Sequence, residues 1–180
     1  MPRYIAFLRA INVGGRTVKM EDLRALFEAQ GFTGVETFIA SGNVIFDSKA
    51  RDPAALERRI EARLQESLGY EVKTFVRTDA EIAAIARYQP FTDALMKTAV
   101  ALNVAFLAEP PSAEARQILL DRFTTEIDDF HVHGREIYWL CRNKQSDSEF
   151  SNAVMEKALK LRATFRGMNS IARLAAKYPA

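Results

Sequence analysis

With 48% hydrophobic and 27% charged residues, the 180-residue chain has the make-up of a folded globular protein, one domain or two small ones, long enough to bury a core. Its 25 basic and 23 acidic residues leave a net charge of only +2, which argues against a dedicated nucleic-acid binder or a protein held on anionic membranes. A single cysteine, Cys141, excludes an intrachain disulfide, and no apolar run approaches the roughly 20 residues of a membrane helix. Met1-Pro2-Arg3-Tyr4 enters a strand pattern without a signal-peptide core, so a cytoplasmic location is expected.

Tyr4 to Arg9 reads as a strand, apolar on both sides until Arg9, as a central strand covered on at least one face would be. A loop through Asn12, Gly14 and Gly15 leads to a helix in which Met20, Leu23, Leu26 and Phe27 recur at helical spacing, with Gly31 as its stop. Val35–Ala40 and Asn43–Asp47 form two strands turning at Ser41-Gly42. Asp52-Pro53 opens a helix lined by Leu56, Ile60, Leu64 and Leu68 and closed by Gly69, and Val72–Arg77 is a fourth strand. Thr78-Asp79-Ala80-Glu81 is a capping box that starts a short helix ending before Pro90. The same order then repeats: a strand at 99–107, a helix at 112–122, a hairpin of 127–132 and 136–141 turning at Gly134, a helix at 148–159, a short strand at 163–166 and a last helix to about Tyr178. Residue identity between the halves is slight, so the repeat lies in element order.

This pattern predicts an α+β protein of two tandem ferredoxin-like (βαββαβ) subdomains, each an antiparallel sheet in order 4-1-3-2 with helices on one face. Expected bounds are 1–78, a bridging helix and linker at 79–98, and 99–180 with the C-terminal helix. In such a sheet the end of the first strand lies beside the start of the third. Arg9, Asn12, Ser41 and Asn43, with amides freed by Gly14 and Gly15, therefore share one edge. An arginine fork suits a carboxylate or phosphate, and glycine loops leading to a helix expose donors to an anion. The same residues also suit a plainer role, in which both asparagines bond backbone groups in their own turns. Gly14-Gly15 completes no Walker pattern.

In the second half Arg142, Asn143, Lys144 and Ser146 follow the third strand, and Arg166 and Asn169 close the fourth at the same edge. Arg142, Lys144, Arg166 and Asn169 are further ligand candidates, against the alternative of a capping loop with a solvated basic patch. His131 and His133 alternate on a strand, but two imidazoles without a third ligand make no metal site. Cys141 ends an apolar strand and reads as a buried, inert thiol. No nucleophile, general base or cofactor motif stands out, so enzyme status, cofactor and oligomeric state stay open.

The run Tyr4-Ile5-Ala6-Phe7-Leu8-Arg9-Ala10-Ile11-Asn12-Val13-Gly14-Gly15, then Val18-Lys19-Met20 with Leu23, closely resembles the bacterial family called domain of unknown function 1697, and Ser41-Gly42-Asn43-Val44-Ile45-Phe46 matches its second hallmark. The resemblance implies an alpha-plus-beta fold of two related subdomains and supplies no activity. Members tend to read Thr, any residue, Arg, Asn, aromatic, any residue, Thr near the C-terminus. This chain has Thr164-Phe165-Arg166-Gly167-Met168-Asn169-Ser170, with Gly167 in place of the amide and Met168 in place of the ring.

Two functions fit the residues. One is a binder of, or small enzyme acting on, an anionic, phosphorylated or nucleotide-like small molecule. The other is an RNA-binding or protein-interaction module, for which Phe46, Tyr138 and Trp139 are the rings a base would stack on. Near-neutral charge disfavours nucleic acid, and no membrane association is expected.

Overall fold

A computed structural model describes residues 1–11 and 17–180, the side chains of Ala40 and Ser41 excepted. The first half comprises β1 (Arg3–Leu8), α1 (Met20–Glu28), β2 (Thr33–Phe38), β3 (Ala40–Asp47), α2 (Pro53–Leu68) and β4 (Thr74–Thr78). Two short helices follow, α3 (Asp79–Arg87) and α4 (Asp93–Met96). The second half comprises β5 (Ala101–Phe106), α5 (Ala113–Phe123), β6 (Asp128–His133), β7 (Glu136–Cys141), a 3-10 turn (Gln145–Asp147), α6 (Asn152–Leu159), β8 (Thr164–Gly167) and α7 (Met168–Lys177).

The strands form two four-stranded antiparallel sheets, ordered β2-β3-β1-β4 and β6-β7-β5-β8. Read from the other edge these are the expected 4-1-3-2 orders, and the α+β class in two similar halves follows. By contacts, Met1–Ile85 with Arg173–Ala180 form one compact unit and Ala86–Ala172 the other.

Period-two alternation sorts each strand into two faces. In the first sheet Tyr4, Ala6, Leu8, Val44, Phe46 and Val76 meet Leu23 and Phe27 of α1 and Leu56, Ile60 and Leu64 of α2 in one core. Ile5, Phe7, Ile45 and Phe75, on the other face, are buried as well, and so is Arg77, fully, although it closes what reads in sequence as a strand end. In the second sheet Ala105, Ile137, Trp139 and Cys141 pack with Ala115 and Leu119 of α5 and Met155 and Leu159 of α6.

Local chemistry sets the element ends. Asp52 caps α2 by accepting from the Ala54 N–H, and Gly69 ends it in the left-handed region at φ 81°. Thr78 and Glu81 exchange the two bonds of a capping box, Glu81 N–H to Thr78 Oγ1 (3.1 Å) and Thr78 N–H to Glu81 Oε1 (3.0 Å). The edge strand β4 finds acceptors on α2: Val76 N–H donates to Glu57 (2.8 Å) and Thr74 N–H to Glu61 (3.0 Å). This closes an edge that would otherwise invite another strand.

Several boundaries differ from the sequence expectation by a residue or two, and three further differences are larger or bear on the candidate residues. The β2–β3 turn falls at Ile39, at φ 70°, and Ser41-Gly42 belong to β3, because irregular pairing between Thr37 and Phe38 brings Phe38 opposite Ala40. α6 begins at Asn152, capped by Ser151, because the Ser148 hydroxyl is spent on Asp128. Asn169 lies inside α7, which follows β8 without a connecting loop.

Candidate functional site

The register of β1 against β3 pairs Phe7 with Asn43, so Arg9, two residues on, stands at the same end of the first sheet as Asn43. Arg9 extends the ladder towards β4 by donating its N–H to the Lys73 carbonyl (2.9 Å), and its side chain is half-buried. The backbone then turns through Ala10 at φ 55°, and the Ile11 carbonyl accepts from the Tyr70 hydroxyl (3.1 Å). Across the sheet, Asn43 is 2% exposed and donates through Nδ2 to the Phe38 carbonyl (3.1 Å). That bond pins the turn holding Ile39. Ile39 is β-branched and exposed at a positive φ, and Ala10 is a second non-glycine residue at positive φ. Such backbone strain persists only where neighbours enforce it, and it gathers at functional sites.

Arg9 and Asn43 are thus brought to one end, and the Ser41 backbone lies in β3 at that end. Asn12, Gly14 and Gly15 lie outside the described residues. The bond from Asn43 to Phe38 shows that this asparagine has the plainer, turn-stabilising role at least in part.

The second half arranges its candidates differently. Cys141 opposite Ala101 and Gly167 opposite Asn103 put the ends of β7 and β8 at one edge, but β5 runs between them. Arg142 turns away towards β6, where its guanidinium pairs with Asp129 and donates to the Glu126 carbonyl (3.3 Å). Arg166 pairs with Val104 on the other side and donates to Thr164 Oγ1 (2.8 Å) and the Phe165 carbonyl (2.9 Å). Burial pushes its pKa down to about 10, so it stays charged near neutrality. Lys144 and Asn169 are exposed. Nearby, Asn103 has a buried Nδ2 without a described partner, a residue that an apolar strand pattern gave no reason to single out.

Two clefts formed by described residues lie elsewhere. One, of about 560 Å³, opens beside Thr125, Asp128 and Ser148, and another, of about 580 Å³, beside Arg3, Glu36 and Tyr178. Asp128 is a structural hub: it is 2% exposed and accepts from Trp139 Nε1 (2.8 Å), Thr125 Oγ1 (2.8 Å) and Ser148 Oγ (2.9 Å). Cys141 is fully buried, which raises its pKa and leaves little thiolate. Phe46, Tyr138 and Trp139 are buried too, so none of these three rings presents a stacking platform.

Among the described residues no group of three or more His, Cys, Asp or Glu side chains is placed to hold a metal. His131 and His133 instead flank Tyr88: its hydroxyl lies 2.7 Å from His131 Nε2, and its ring stacks on His133 at 4.1 Å. Phe91 and the buried Tyr138 complete the cluster. Burial above all, then His133 and Arg116, lowers the His131 pKa below its usual 6.5. The folded state therefore resists protonation more than the unfolded chain does. The stability that neutral His131 contributes is present above pH ~6.5 and is lost as pH falls through the lowered value. The urea midpoint should drop between pH 7.5 and 5.5, and His131→Gln should flatten that slope; an unchanged slope would remove His131 as its cause.

Two four-stranded antiparallel sheets with their helices define an α+β protein in two similar halves, the first of which carries an arginine and a buried asparagine at one sheet end beside two turns at positive φ. The chain belongs to the family described as Protein of unknown function (DUF1697), whose model matches residues 1–138. In structure it is similar to the conserved bacterial protein SP0830 from Streptococcus pneumoniae, with a TM-score of 0.72 and 21% identity over 96% of this chain and 98% of that one. At that identity the likeness speaks for the fold alone. No curated protein matches the chain. None of the helices in the described residues is long and apolar enough to cross a membrane.

Proposed function

We propose that the Arg9–Asn43 end of the first sheet binds an anionic small molecule, phosphorylated or nucleotide-like, in the cytoplasm. The supporting observation is the convergence there of Arg9, Asn43 and two non-glycine residues at positive φ, Ala10 and Ile39. Arg9 holds the anion with its planar fork, and Ser41 with Asn12, Gly14 and Gly15 supplies further donors. The ends of β7 and β8, with Arg142, Lys144, Arg166 and Asn169, form a secondary candidate, weakened because Arg142 already has Asp129. An RNA-binding role is less favoured: the net charge is +2, and Phe46, Tyr138 and Trp139 are buried.

A thermal-shift screen of nucleotides, sugar phosphates and carboxylates tests the proposal, since a binder at a hundredfold excess over its Kd adds about 2.7 kcal/mol by linkage. A charge-assisted contact is worth about 1.5–3 kcal/mol, so Arg9→Ala should weaken the best hit at least tenfold. Arg9→Lys should restore part of that affinity, since it keeps the charge and loses the fork. Unchanged affinity in Arg9→Ala would contradict the proposal. So would an Arg9→Ala variant that fails to fold, which would mark Arg9 as a structural arginine satisfied by strand-end carbonyls.

A further inference from the structure

The C-terminal half of α7 brings a second set of cations to this end of the first sheet. Arg173 and Lys177 sit one helical turn apart, both exposed, and both lie over the ring of Phe38, with Arg173 Cζ at 5.6 Å and Lys177 Nζ at 4.9 Å from its centroid. Phe38 is the last residue of β2, and its carbonyl takes the Asn43 amide, so the pair stands at the same end of the sheet as Asn43, with β3 between β2 and the strand that leads to Arg9. Neither cation forms an ion pair with a described carboxylate. Of the acids on β2 and β3, Glu36 accepts from the Tyr178 hydroxyl (2.6 Å) and keeps its charge, and Asp47 pairs with Arg3 (3.4 Å) at the opposite end of the sheet from Asn43.

Like charges at i and i+4 on a helix repel each other, and an arrangement of this kind gains from an anion placed between them. Lys177, in the last turn, also complements the helix dipole; Arg173, a turn earlier, has no such role. The Phe38 ring holds both side chains in place by cation–π contact, which lowers the entropy lost when they close on a ligand. Tyr178 backs the arrangement edge-on to Phe38 (5.9 Å, 89°).

We propose that Arg173 and Lys177, held against Phe38, form the phosphate subsite for a small phosphorylated ligand bound at the Arg9–Asn43 end of the first sheet. This rests on the function proposed above and adds the ligand's chemical class and the residues that read it. A tetrahedral phosphate dianion suits the pair better than a carboxylate, because it offers separate oxygens to an arginine fork and to an ammonium.

Calorimetric titration of the full chain with inorganic pyrophosphate tests the inference. Both residues are exposed, so the double variant Arg173→Gln/Lys177→Gln should fold as the parent does, which circular dichroism checks. The expected result is at least a tenfold loss of pyrophosphate affinity in the double variant, with part of the affinity kept in Arg173→Lys, which holds the charge and loses the fork. Parental affinity in the double variant would overturn the phosphate subsite, and a loss in Arg9→Ala alone would then leave the anion site standing without it. A loss in the double variant with parental affinity in Arg9→Ala would keep the subsite and contradict the Arg9 site. Absence of pyrophosphate binding by the parent at millimolar concentration would overturn the subsite. Tighter binding of a single-stranded RNA oligomer, lost in the double variant, would overturn it in favour of a nucleic-acid backbone.

Discussion

Replacing Asp128 with alanine should destabilise the protein by about 3–5 kcal/mol, the sum of one orphaned buried donor and two lost hydroxyl bonds. Asp128 is 2% exposed, and its carboxylate accepts from Trp139, Thr125 and Ser148, tying the start of β6 to β7 and to the segment before α6. Its removal leaves the indole N–H without an acceptor in a site only 5% exposed. Thr125 and Ser148 lie nearer solvent and recover part of their loss from water. Asp128→Asn keeps one acceptor oxygen and should lose roughly half as much. Trp139 is the chain's sole tryptophan, so its fluorescence in a urea titration reports on this very contact. A loss below about 1 kcal/mol in Asp128→Ala would show that the network is dispensable.

An effect of similar size is expected at the centre of the first core. Phe46 is fully buried, and its ring meets those of Phe32 (4.5 Å), Tyr4 (5.6 Å) and Phe27 (5.6 Å). These contacts join β1, β3, α1 and the start of β2, so the surroundings have little room to collapse into the gap. Phe46→Ala should cost about 3–5 kcal/mol. In urea the midpoint should fall while the slope stays constant, since the surface exposed on unfolding is nearly the same. A cost near that of a surface substitution would mean that this cluster is not the core of the half.

Much of the architecture is legible in the sequence because local signals and element order agree. Asp52-Pro53, the Thr78–Glu81 box and Gly69 mark helix ends by their own chemistry, and the two βαββαβ successions fix the sheet orders. The β2–β3 turn is less legible. Ser41-Gly42 is the better turn sequence, yet the chain turns at Ile39, because register along β3 is set by burying Val44 and Phe46 on the helix side. Ser148 and Ser151 are equally good cap residues in sequence, and only Asp128, twenty residues earlier, decides between them.

The site is legible to a similar depth. That Arg9 and Asn43 share a sheet end follows from topology, and the register bears it out. That Arg142 is claimed by Asp129 depends on a pairing across β6 and β7 that spacing does not encode. Arg173 and Lys177 look like an ordinary solvated helix face in sequence. Their meaning comes from Phe38, more than a hundred residues away in the chain.

The most direct test of an anion site at the Arg9–Asn43 end is a titration of the full chain with pyrophosphate, followed by amide proton–nitrogen correlation spectra. The Asn43 side-chain amide, donating to the Phe38 carbonyl, and the Arg9 backbone amide, donating to Lys73, are reporters within that end. The largest saturable shifts are expected at Arg9, Phe38 and Asn43. Shifts confined to Arg142, Lys144 and Asn169, or no saturable shift at all, would contradict it.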